Sequence, residues 1–393
     1  MANELRILAD ADGNPLTEVE KLRQSKKKEK INILYFSSFG TLKGGGQRSL
    51  FYLLRGLNKE LFNPIVVCPE PGDLIDQLQA LGIATLVMPF KRLRQLSGGF
   101  IWRILRLIQE RRISLVHTDA PAETFYAGIA ARLAGVPLIW HIRVSDAGPA
   151  DHLLAALATR LIMVASSLRA RFPATPAKKL IPIINGIDVA EFDAQPTVGI
   201  REEIGAASNT LLIGCVGRLE EMKGQEYLIR AVKLLSGQGR DFRVLLLGAA
   251  DENYQKKLVA LMGELAVSEY FIQLGFRLDT PGIIKELDLL VSASSFGEGL
   301  SRVILEAMAA GKPVVATAVG GAGEAIAEGI TGYVVPPRDP QTLAEAMLRL
   351  LTSPERRREF GAQGRVRVEE HFCLARNIAT TERLYLEILQ GGR

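Results

Sequence analysis

The chain has 393 residues, of which 48% are hydrophobic and 23% charged, and its formal net charge is +5. This length predicts two domains, and the small positive excess permits an anionic small-molecule partner but is too weak to indicate nucleic acid. The three cysteines have no metal-ligand spacing, which argues against a disulfide framework and structural zinc. No apolar run approaches the roughly 20 residues of a membrane span, which argues against a transmembrane protein. We therefore expect a cytoplasmic location.

The predicted elements fall into four segments along the chain. Residues 1–30 are polar and end in KKKEK, a composition typical of a flexible tail. Residues 31–187 alternate short apolar runs with helical runs, from INILYFSS to VPLIWHIR. Residues 188–373 do the same from TLLIGCVGRL to GYVVPP, after a connection, LIPIINGIDVAEFDAQPTVG, that is rich in Pro, Gly and Asp. Residues 374–393 have helical periodicity and no strand after them.

The alternation of apolar strands with helices of about 10 to 15 residues indicates βαβ units. We therefore predict an α/β protein of two Rossmann-like domains, each built on a doubly wound parallel sheet. Open sheets of this kind bind ligands outside the carboxyl ends of their strands. Two such domains that face each other predict a cleft between them.

Three consecutive glycines, Gly44, Gly45 and Gly46, follow the first predicted strand and begin a helix. Because they lack Cβ atoms, their backbone N–H groups can approach an anion at the positive end of the helix. The spacing is neither G-x-G-x-x-G nor a P-loop, which weakens a nicotinamide or ATPase interpretation. A simple tight turn is the alternative.

Arg218 and Lys223 bracket the loop VGRLEEMKG, which follows the first predicted strand of the second domain. An arginine offers a planar fork of donors and a lysine a mobile point charge, and the two together suit a diphosphate. The alternative is solvated charge at the start of a helix.

The stretch SSFGEGLSRVILEAMAAG places Glu298 in a glycine-rich turn and Glu306 about two turns into the following helix. The first-turn amides of that helix favour phosphate oxygens. Glu306 can accept hydrogen bonds from a vicinal diol, and Glu298 lies nearer to whatever the phosphates carry. A sugar nucleotide has a ribose diol, a diphosphate and a sugar ring in that order. The alternative is a capping Glu298 and an outward-facing Glu306.

On these residues the chain resembles the retaining glycosyltransferases of family 4, the group 1 glycosyltransferases, which have the GT-B fold. The resemblance is carried by GGGQRSLFYLLRGL, NGID, VGRLEEMKG, GEGLSRVILEAMAAGKPVVAT and GITGYVVPPRD. Together with the strands between them, these motifs span most of residues 31–350, and the C-terminal set is the more specific.

The resemblance implies a role for each matched residue. It implies that Arg218 and Lys223 bind the diphosphate and stabilise the leaving group, that Glu306 holds the ribose and that Glu298 contacts the donor sugar as part of the catalytic set. It also implies that the final helix crosses back onto the first domain. The other donor-binding positions that it implies are Gly45, Gly46, Phe276, Arg277, Gly299, Leu300 and Ser301.

One position departs from the family pattern. Members often carry His-x-His after the strand that here reads VHTDAPAE, with His117 followed by Asp119. Either His117 takes the role near the donor sugar or the sugar is held differently, because an aspartate accepts a hydrogen bond but donates no ring N–H. His141, in LIWHIRV, is a further candidate for a sugar or acceptor contact, and a core histidine is the alternative.

The resemblance implies metal-independent transfer, with retention, of a hexose-type sugar from a nucleoside-diphosphate sugar to a glycan or lipid-linked acceptor in cell-surface polysaccharide, lipopolysaccharide or glycolipid biosynthesis. No cofactor besides the donor substrate is expected. A sugar-nucleotide epimerase or phosphorylase on the same fold, and a non-catalytic sugar-nucleotide-binding protein, are the alternatives.

Residues 91–112, KRLRQLSGGFIWRILRLIQERR, predict a basic amphipathic helix. Such a helix could contact the inner face of an anionic membrane peripherally. A helix that only covers the sheet is the alternative.

Overall fold

The computed structural model describes residues 30–42, 44–89 and 98–391. Residues 1–29 of the predicted tail, and the basic start of the predicted amphipathic segment, lie outside the described residues. The described chain forms two parallel sheets connected by helices, which confirms the predicted α/β architecture of two Rossmann-like units.

The first sheet is built from the N-terminal half of the chain. Its strands are β1 (Ile31–Phe36), β2 (Phe62–Cys68), β3 (Ala84–Val87), β4 (Leu115–Thr118), β5 (Leu138–Ile142), β6 (Arg160–Met163) and β7 (Leu180–Pro182). Its helices are α1 (Gly45–Gly56), α2 (Asp73–Ala80), α3 (Gly98–Glu110), α4 (Pro121–Ala134) and α5 (Asp151–Leu157), with short 3-10 helices at Ser166–Arg171 and Ala177–Lys179. The strand order is β3-β2-β1-β4-β5-β6-β7. Leu34 and Phe36 enter one core and Ile33 and Tyr35 another, because both faces of a parallel sheet are covered.

The second sheet repeats this plan. Its strands are β8 (Leu211–Val216), β9 (Phe242–Leu247), β10 (Phe271–Gly275), β11 (Leu289–Ser292), β12 (Val314–Thr317) and β13 (Gly332–Val335). The helices around it are α6 (Val189–Ala194), α7 (Ile200–Glu203), α8 (Gln225–Leu235), α9 (Glu252–Glu264), α10 (Thr280–Glu286), α11 (Arg302–Ala309), α12 (Ala322–Ala325), α13 (Pro340–Leu351) and α14 (Pro354–His371), with 3-10 helices at Glu221–Lys223 and Ser268–Tyr270. The strand order is β10-β9-β8-β11-β12-β13.

The predicted connection between the two sets of elements contains a strand at its start. Leu180–Pro182, predicted as part of that connection, forms β7 and pairs in parallel with β6. β7 lies at the edge of the sheet, where a proline is tolerated because one side of the strand has no neighbour to bond. A run of three residues that contains proline has no strand pattern in the sequence.

The C-terminal helix α15 (Leu374–Gly391) packs on the first sheet rather than on the second. Leu374, Ile378 and Tyr385 belong to the same core as β1 and α1. The chain returns beside its own outward connection: the N–H of Ile187 donates to the carbonyl of Phe372 (2.8 Å), and the N–H of Leu374 donates to the carbonyl of Ile187 (3.0 Å). The two connections between the sheets are therefore hydrogen-bonded to each other.

Helix α3 carries the described part of the predicted amphipathic segment. Phe100, Ile104 and Ile108 are buried in the core of the first sheet, whereas 66% of Trp102 is exposed and Arg106 pairs with Glu110 (2.6 Å) on the outer face. The apolar stripe of α3 is therefore largely buried against the first sheet. Among the described residues we find no helix both long and apolar enough to cross a membrane.

Candidate functional site

In both sheets the chain reverses its direction of winding between two central strands, β1 and β4 in the first sheet and β8 and β11 in the second. Connections leave on opposite sides of the sheet at such a point, which creates a crevice at the carboxyl ends of the strands. The glycine loop follows β1, His117 and Asp119 lie at the end of β4, Lys223 follows β8, and Glu298 follows β11. The sequence motifs therefore occupy the two crevices.

The two crevices face each other and touch. A Cβ added to Gly299, after β11, would lie 2.1 Å from the carbonyl oxygen of Arg143, after β5. The N–H groups of Ser166 and Ser167 in the first domain each donate to the carboxylate of Glu324 in α12 (2.8 Å). The cleft between the domains is therefore closed at these points, and Gly299 permits the backbones to meet.

The glycine loop contributes the start of α1 to the cleft. Gly44 precedes the helix, no side chain caps it, and its first turn contains no acidic residue. A Cβ at Gly46 would lie 3.2 Å from Cδ of Arg143, and one at Gly45 would lie 3.9 Å from Cδ of Arg302. The predicted loop thus lies beside two arginines that belong to different domains.

Lys223 and Glu298 form an ion pair at the end of the second sheet. Nζ of Lys223 lies 2.5 Å from Oε2 of Glu298, and both side chains are less than one-fifth exposed (19% and 14%). The hydroxyl of Ser294 donates to the same carboxylate oxygen (3.2 Å). Gly224, with a φ of +64°, brings the Lys223 turn so close to β11 that a Cβ there would lie 2.1 Å from the carbonyl of Ala293. The structure therefore joins two of the predicted catalytic residues directly.

Arg218 lies outside that ion pair. Its guanidinium is paired with Glu220 (2.8 Å) and its side chain is 62% exposed. The structure therefore does not bring Arg218 to Glu298.

Glu306 lies in α11, which begins at Arg302, so the carboxylate is one turn into the helix rather than two as we predicted. Its side chain is 13% exposed and lies 3.7 Å from Nε of Arg302, so it does not face outwards. The Arg302 guanidinium also donates to the carbonyl of Gly186 (3.2 Å) and lies over the ring of Tyr52 (5.0 Å). Ser301 precedes the helix without a side-chain cap, and Leu300 is buried.

A cavity of about 480 Å³ lies at the carboxyl ends of β8, β9 and β10. Phe276, Gly248, Gln255 and Gln273 are among the residues that line it. The amide of Gln255 donates to the side-chain oxygen of Gln273 (2.9 Å), a pair that the sequence did not single out. The Arg277 guanidinium donates hydrogen bonds to Asp279 (2.7 Å) and Glu203 (2.6 Å). These bonds raise the pKa of Arg277 above its ordinary value.

His117 is placed inside the protein. Its Nδ1 is hydrogen-bonded to the hydroxyl of Tyr385 (2.7 Å), its Nε2 to Nδ1 of His141 (3.2 Å), and the Tyr385 hydroxyl accepts from Tyr35 (3.1 Å). Burial lowers the pKa of His117 to about 3 and that of His141 well below 6.5, so both rings are neutral. Because both His117 nitrogens are engaged, His141 Nε2 is the ring nitrogen of this pair that remains without a partner.

Asp119 forms an ion pair with Arg143 (3.3 Å between Oδ2 and Nε), and both side chains are largely buried (7% and 13% exposed). Glu123, in the first turn of α4, lies close enough that burial and the Asp119 charge raise its pKa to about 7. The sequence analysis missed Arg143 and Glu123. An arginine after a strand and a glutamate at the start of a helix are common surface features, so the sequence contained no signal for them.

No group of three or more His, Cys, Asp or Glu side chains that could hold a metal ion occurs among the described residues.

Two family models match the chain. Residues 43–191 match Glycosyltransferase Family 4, and residues 199–367 match Glycosyl transferases group 1. The α-D-kanosaminyltransferase of Streptomyces kanamyceticus is 30% identical over 66% of this chain and 74% of its own length. The UDP-Gal:α-D-GlcNAc-diphosphoundecaprenol α-1,3-galactosyltransferase of Escherichia coli is 23% identical over 92% of this chain and 98% of its own length. Against several other curated relatives, the chain spans about half of their length.

The fold is shared with solved structures. The Anabaena protein HepE, crystallised with UDP-glucose, superposes with a TM-score of 0.77 at 23% identity, over 92% of this chain and the whole of that one. This likeness supports the GT-B arrangement of the two sheets. The motifs, the two family models and the kanosaminyltransferase relative agree, and the chain belongs to the group 1 glycosyltransferases of family 4.

Proposed function

We propose that the chain transfers a hexose-type sugar from a nucleoside-diphosphate sugar to a hydroxyl of a glycan or lipid-linked acceptor, with retention and without a metal ion. The observation that carries this proposal is the Lys223–Glu298 ion pair, which lies after β11 beside the turn that meets the first domain at Gly299. A cation beside a carboxylate in a closed cleft matches a substrate with an anionic leaving group and a hydroxylated ring.

The chemistry follows from the charge that develops in the reaction. Cleavage at the anomeric carbon leaves a nucleoside diphosphate with added negative charge, which Lys223 and the N–H groups at the starts of α1 and α11 would stabilise more than they stabilise the substrate. Arg218 is exposed and can turn towards the phosphates when the donor binds. Glu306 would accept hydrogen bonds from the ribose, and the cavity beside Phe276 would hold the base.

The acceptor is the less defined substrate. The Escherichia coli relative acts, by its name, on a diphosphoundecaprenol-linked sugar, and its match covers nearly the whole chain. We infer an acceptor of cell-surface polysaccharide or glycolipid assembly by this similarity. Membrane contact through residues 91–112 stays a proposal, because part of that segment lies outside the described residues and the apolar stripe of α3 is buried.

The test is a donor screen with product analysis. The purified chain is incubated with UDP-, GDP- and ADP-sugars and simple glycoside acceptors, and nucleoside diphosphate release is followed with and without EDTA. We expect release with one donor series, no loss with EDTA, and a product whose anomeric configuration by NMR equals that of the donor. An inverted product would contradict retention, loss with EDTA would contradict metal independence, and release of an isomerised sugar nucleotide would favour an epimerase.

A further inference from the structure

Arg302 is a largely buried cation whose own domain leaves it incompletely hydrogen-bonded. It is the first residue of α11, and its side chain is 12% exposed. Its Nε is buried without a hydrogen-bond partner among the residues that the structure describes. The carboxylate of Glu306, one turn along the same helix, lies 3.7 Å from Nε, which is too far for a hydrogen bond. The contact is therefore one of charge, and its strength depends on where the guanidinium is held.

The Arg302 guanidinium is held by groups outside the second sheet. Nη1 donates to the carbonyl of Gly186 (3.2 Å), which lies in the connection between the two sheets. The guanidinium also lies 5.0 Å from the ring centre of Tyr52, in α1 of the first domain. A Cβ at Gly45, at the start of that helix, would lie 3.9 Å from Cδ of Arg302. An arginine of the second domain is thus positioned by the first domain and by the connection.

These two anchors are themselves fixed. A Cβ at Gly186 would lie 2.7 Å from Cα of Leu374, so the outgoing connection lies tightly against the returning one. The Tyr52 hydroxyl donates to Glu191 (3.4 Å), and the Arg55 guanidinium lies 4.8 Å from the centre of the same ring while it pairs with Glu191. The place of the anchored guanidinium therefore depends on how the two domains are arranged.

Tyr52, Arg302 and Glu306 form a row that crosses the cleft. Burial raises the pKa of Tyr52, the negative charges of Glu191 and Glu306 raise it further, and the positive charge of Arg302 lowers it. The charges of α11 are thus felt at a hydroxyl of the first domain. A shift in the position of Tyr52 would move the guanidinium, and with it the charge that faces the Glu306 carboxylate.

We propose that Arg302 is a positioning residue for Glu306 and couples the closed arrangement of the two domains to binding of the donor ribose. When Tyr52 and the Gly186 carbonyl hold the guanidinium, its charge holds the Glu306 carboxylate where a vicinal diol can donate to it. Because such a coupling is reciprocal, ribose on Glu306 also favours the closed cleft. This inference rests on the proposed function, in which Glu306 accepts hydrogen bonds from the ribose.

The experiment measures how strongly the protein prefers a ribose to a deoxyribose. The probes are UDP, GDP or ADP, whichever raises Tm most, and the 2′-deoxy and 3′-deoxy forms of the same nucleotide. The ratio of the deoxy Kd to the ribo Kd is the ribose preference. A variant that only loses stability or phosphate affinity weakens all three ligands equally and leaves this ratio unchanged. Glu306→Ala removes the proposed ribose acceptor and should bring the ratio close to 1.

We expect Arg302→Ala to lower the ribose preference at least about fivefold, the lower end of typical couplings between sites. Arg302→Lys keeps the charge but not the planar group that lies on Tyr52, so the ratio should fall less. Tyr52→Leu removes the anchor in the first domain and leaves Arg302 and Glu306 in place, and it should also lower the ratio. The matched control is Arg349→Ala, which removes a guanidinium that lies over Tyr333 within the second domain (5.5 Å) and should keep the wild-type ratio.

The outcomes separate this inference from the proposed function. A ratio that Glu306→Ala abolishes but Arg302→Ala and Tyr52→Leu leave unchanged overturns the coupling and leaves the proposed function intact. Equal weakening of the ribo and deoxy nucleotides in Arg302→Ala overturns it as well. A wild type without ribose preference, or no effect of Glu306→Ala, contradicts the ribose role in the proposed function, and the coupling fails with it. If Arg302→Ala does not fold, Arg302→Lys and Tyr52→Leu decide between the same outcomes.

Discussion

The two sheets have the same strand order around their central strands, yet different polar side chains lie at their carboxyl ends. In the second domain Lys223 is paired with Glu298 at 2.5 Å, and Glu306 lies 3.7 Å from Arg302 Nε, which is buried without a hydrogen-bond partner among the described residues. In the first domain the Asp119–Arg143 pair is accompanied by buried atoms without partners. The shared strand order decides where a ligand can bind, and the side chains differ, since Lys223 lies at one edge and the neutral His141 at the other.

The largest effect should follow from removing the Lys223–Glu298 ion pair at the carboxyl end of the second sheet. Lys223→Ala removes the cation beside the predicted leaving group and leaves Glu298 without its ion-pair partner. We expect kcat/KM to fall by at least about 30- to 150-fold, or about 2 to 3 kcal/mol. Steady-state kinetics with the active donor measure it. Lys257→Ala, which removes a half-exposed lysine that pairs with Glu226, is the control and should retain activity.

The contact between the two edges can be broken separately. Gly299→Ala would place a methyl group 2.1 Å from the Arg143 carbonyl, so the domains could not close as they do here. We expect kcat/KM to fall on the order of a hundredfold, because misplacement by about 1 Å has that effect, together with a larger radius of gyration by X-ray scattering. Gly323→Ala, whose added Cβ would meet no atom within 4 Å, is the control. Unchanged kinetics in Gly299→Ala would show that closure at this turn is dispensable.

The first-domain edge should be visible in the pH dependence of stability, because it contains the buried carboxyl group of Glu123. Glu123 binds its proton more tightly in the folded protein (pKa about 7) than in the unfolded chain (4.5), so the free energy of unfolding falls as the pH rises between these values. Glu123→Gln removes this titration. We expect the variant to gain stability over the wild type on going from pH 4.5 to pH 8, by at most about 3 kcal/mol. Denaturant unfolding at several pH values measures the difference, and parallel curves for the two proteins would refute it.

The smallest effect concerns the hydrogen-bond chain behind that edge. Tyr385→Phe leaves both His117 Nδ1 and the Tyr35 hydroxyl without their partner, which should cost about 1 to 3 kcal/mol of unfolding free energy. Tyr270→Phe, in the second domain, removes a single bond to the Ser236 carbonyl from a less buried position and should cost less. Equal losses of Tm in the two variants would contradict the larger contribution expected from the Tyr385 hydrogen bonds.

The sequence allowed the second domain to be predicted more completely than the first. Glu298, Lys223 and Glu306 occur in motifs with local spacing, and the strands before them are apolar runs of four to six residues. Arg143 could not be found, because its pairing with Asp119 depends on which strand ends lie side by side, and this is a property of the sheet order. The same holds for His117, whose partners Tyr385 and His141 are 268 and 24 residues away. Periodicity indicates which residues are buried but not which buried polar groups meet.

The paired connections at Ile187 and Phe372–Leu374 have a consequence for how the two halves are joined. Because the outgoing and returning segments are bonded to each other, the chain passes between the two sheets at one place and not at two. A protease that cut one of them would leave the halves of the molecule attached through the other. The contact of Gly299 with the Arg143 carbonyl lies on the other side of the cleft from these segments in the chain order, so it joins the two sheets independently of them.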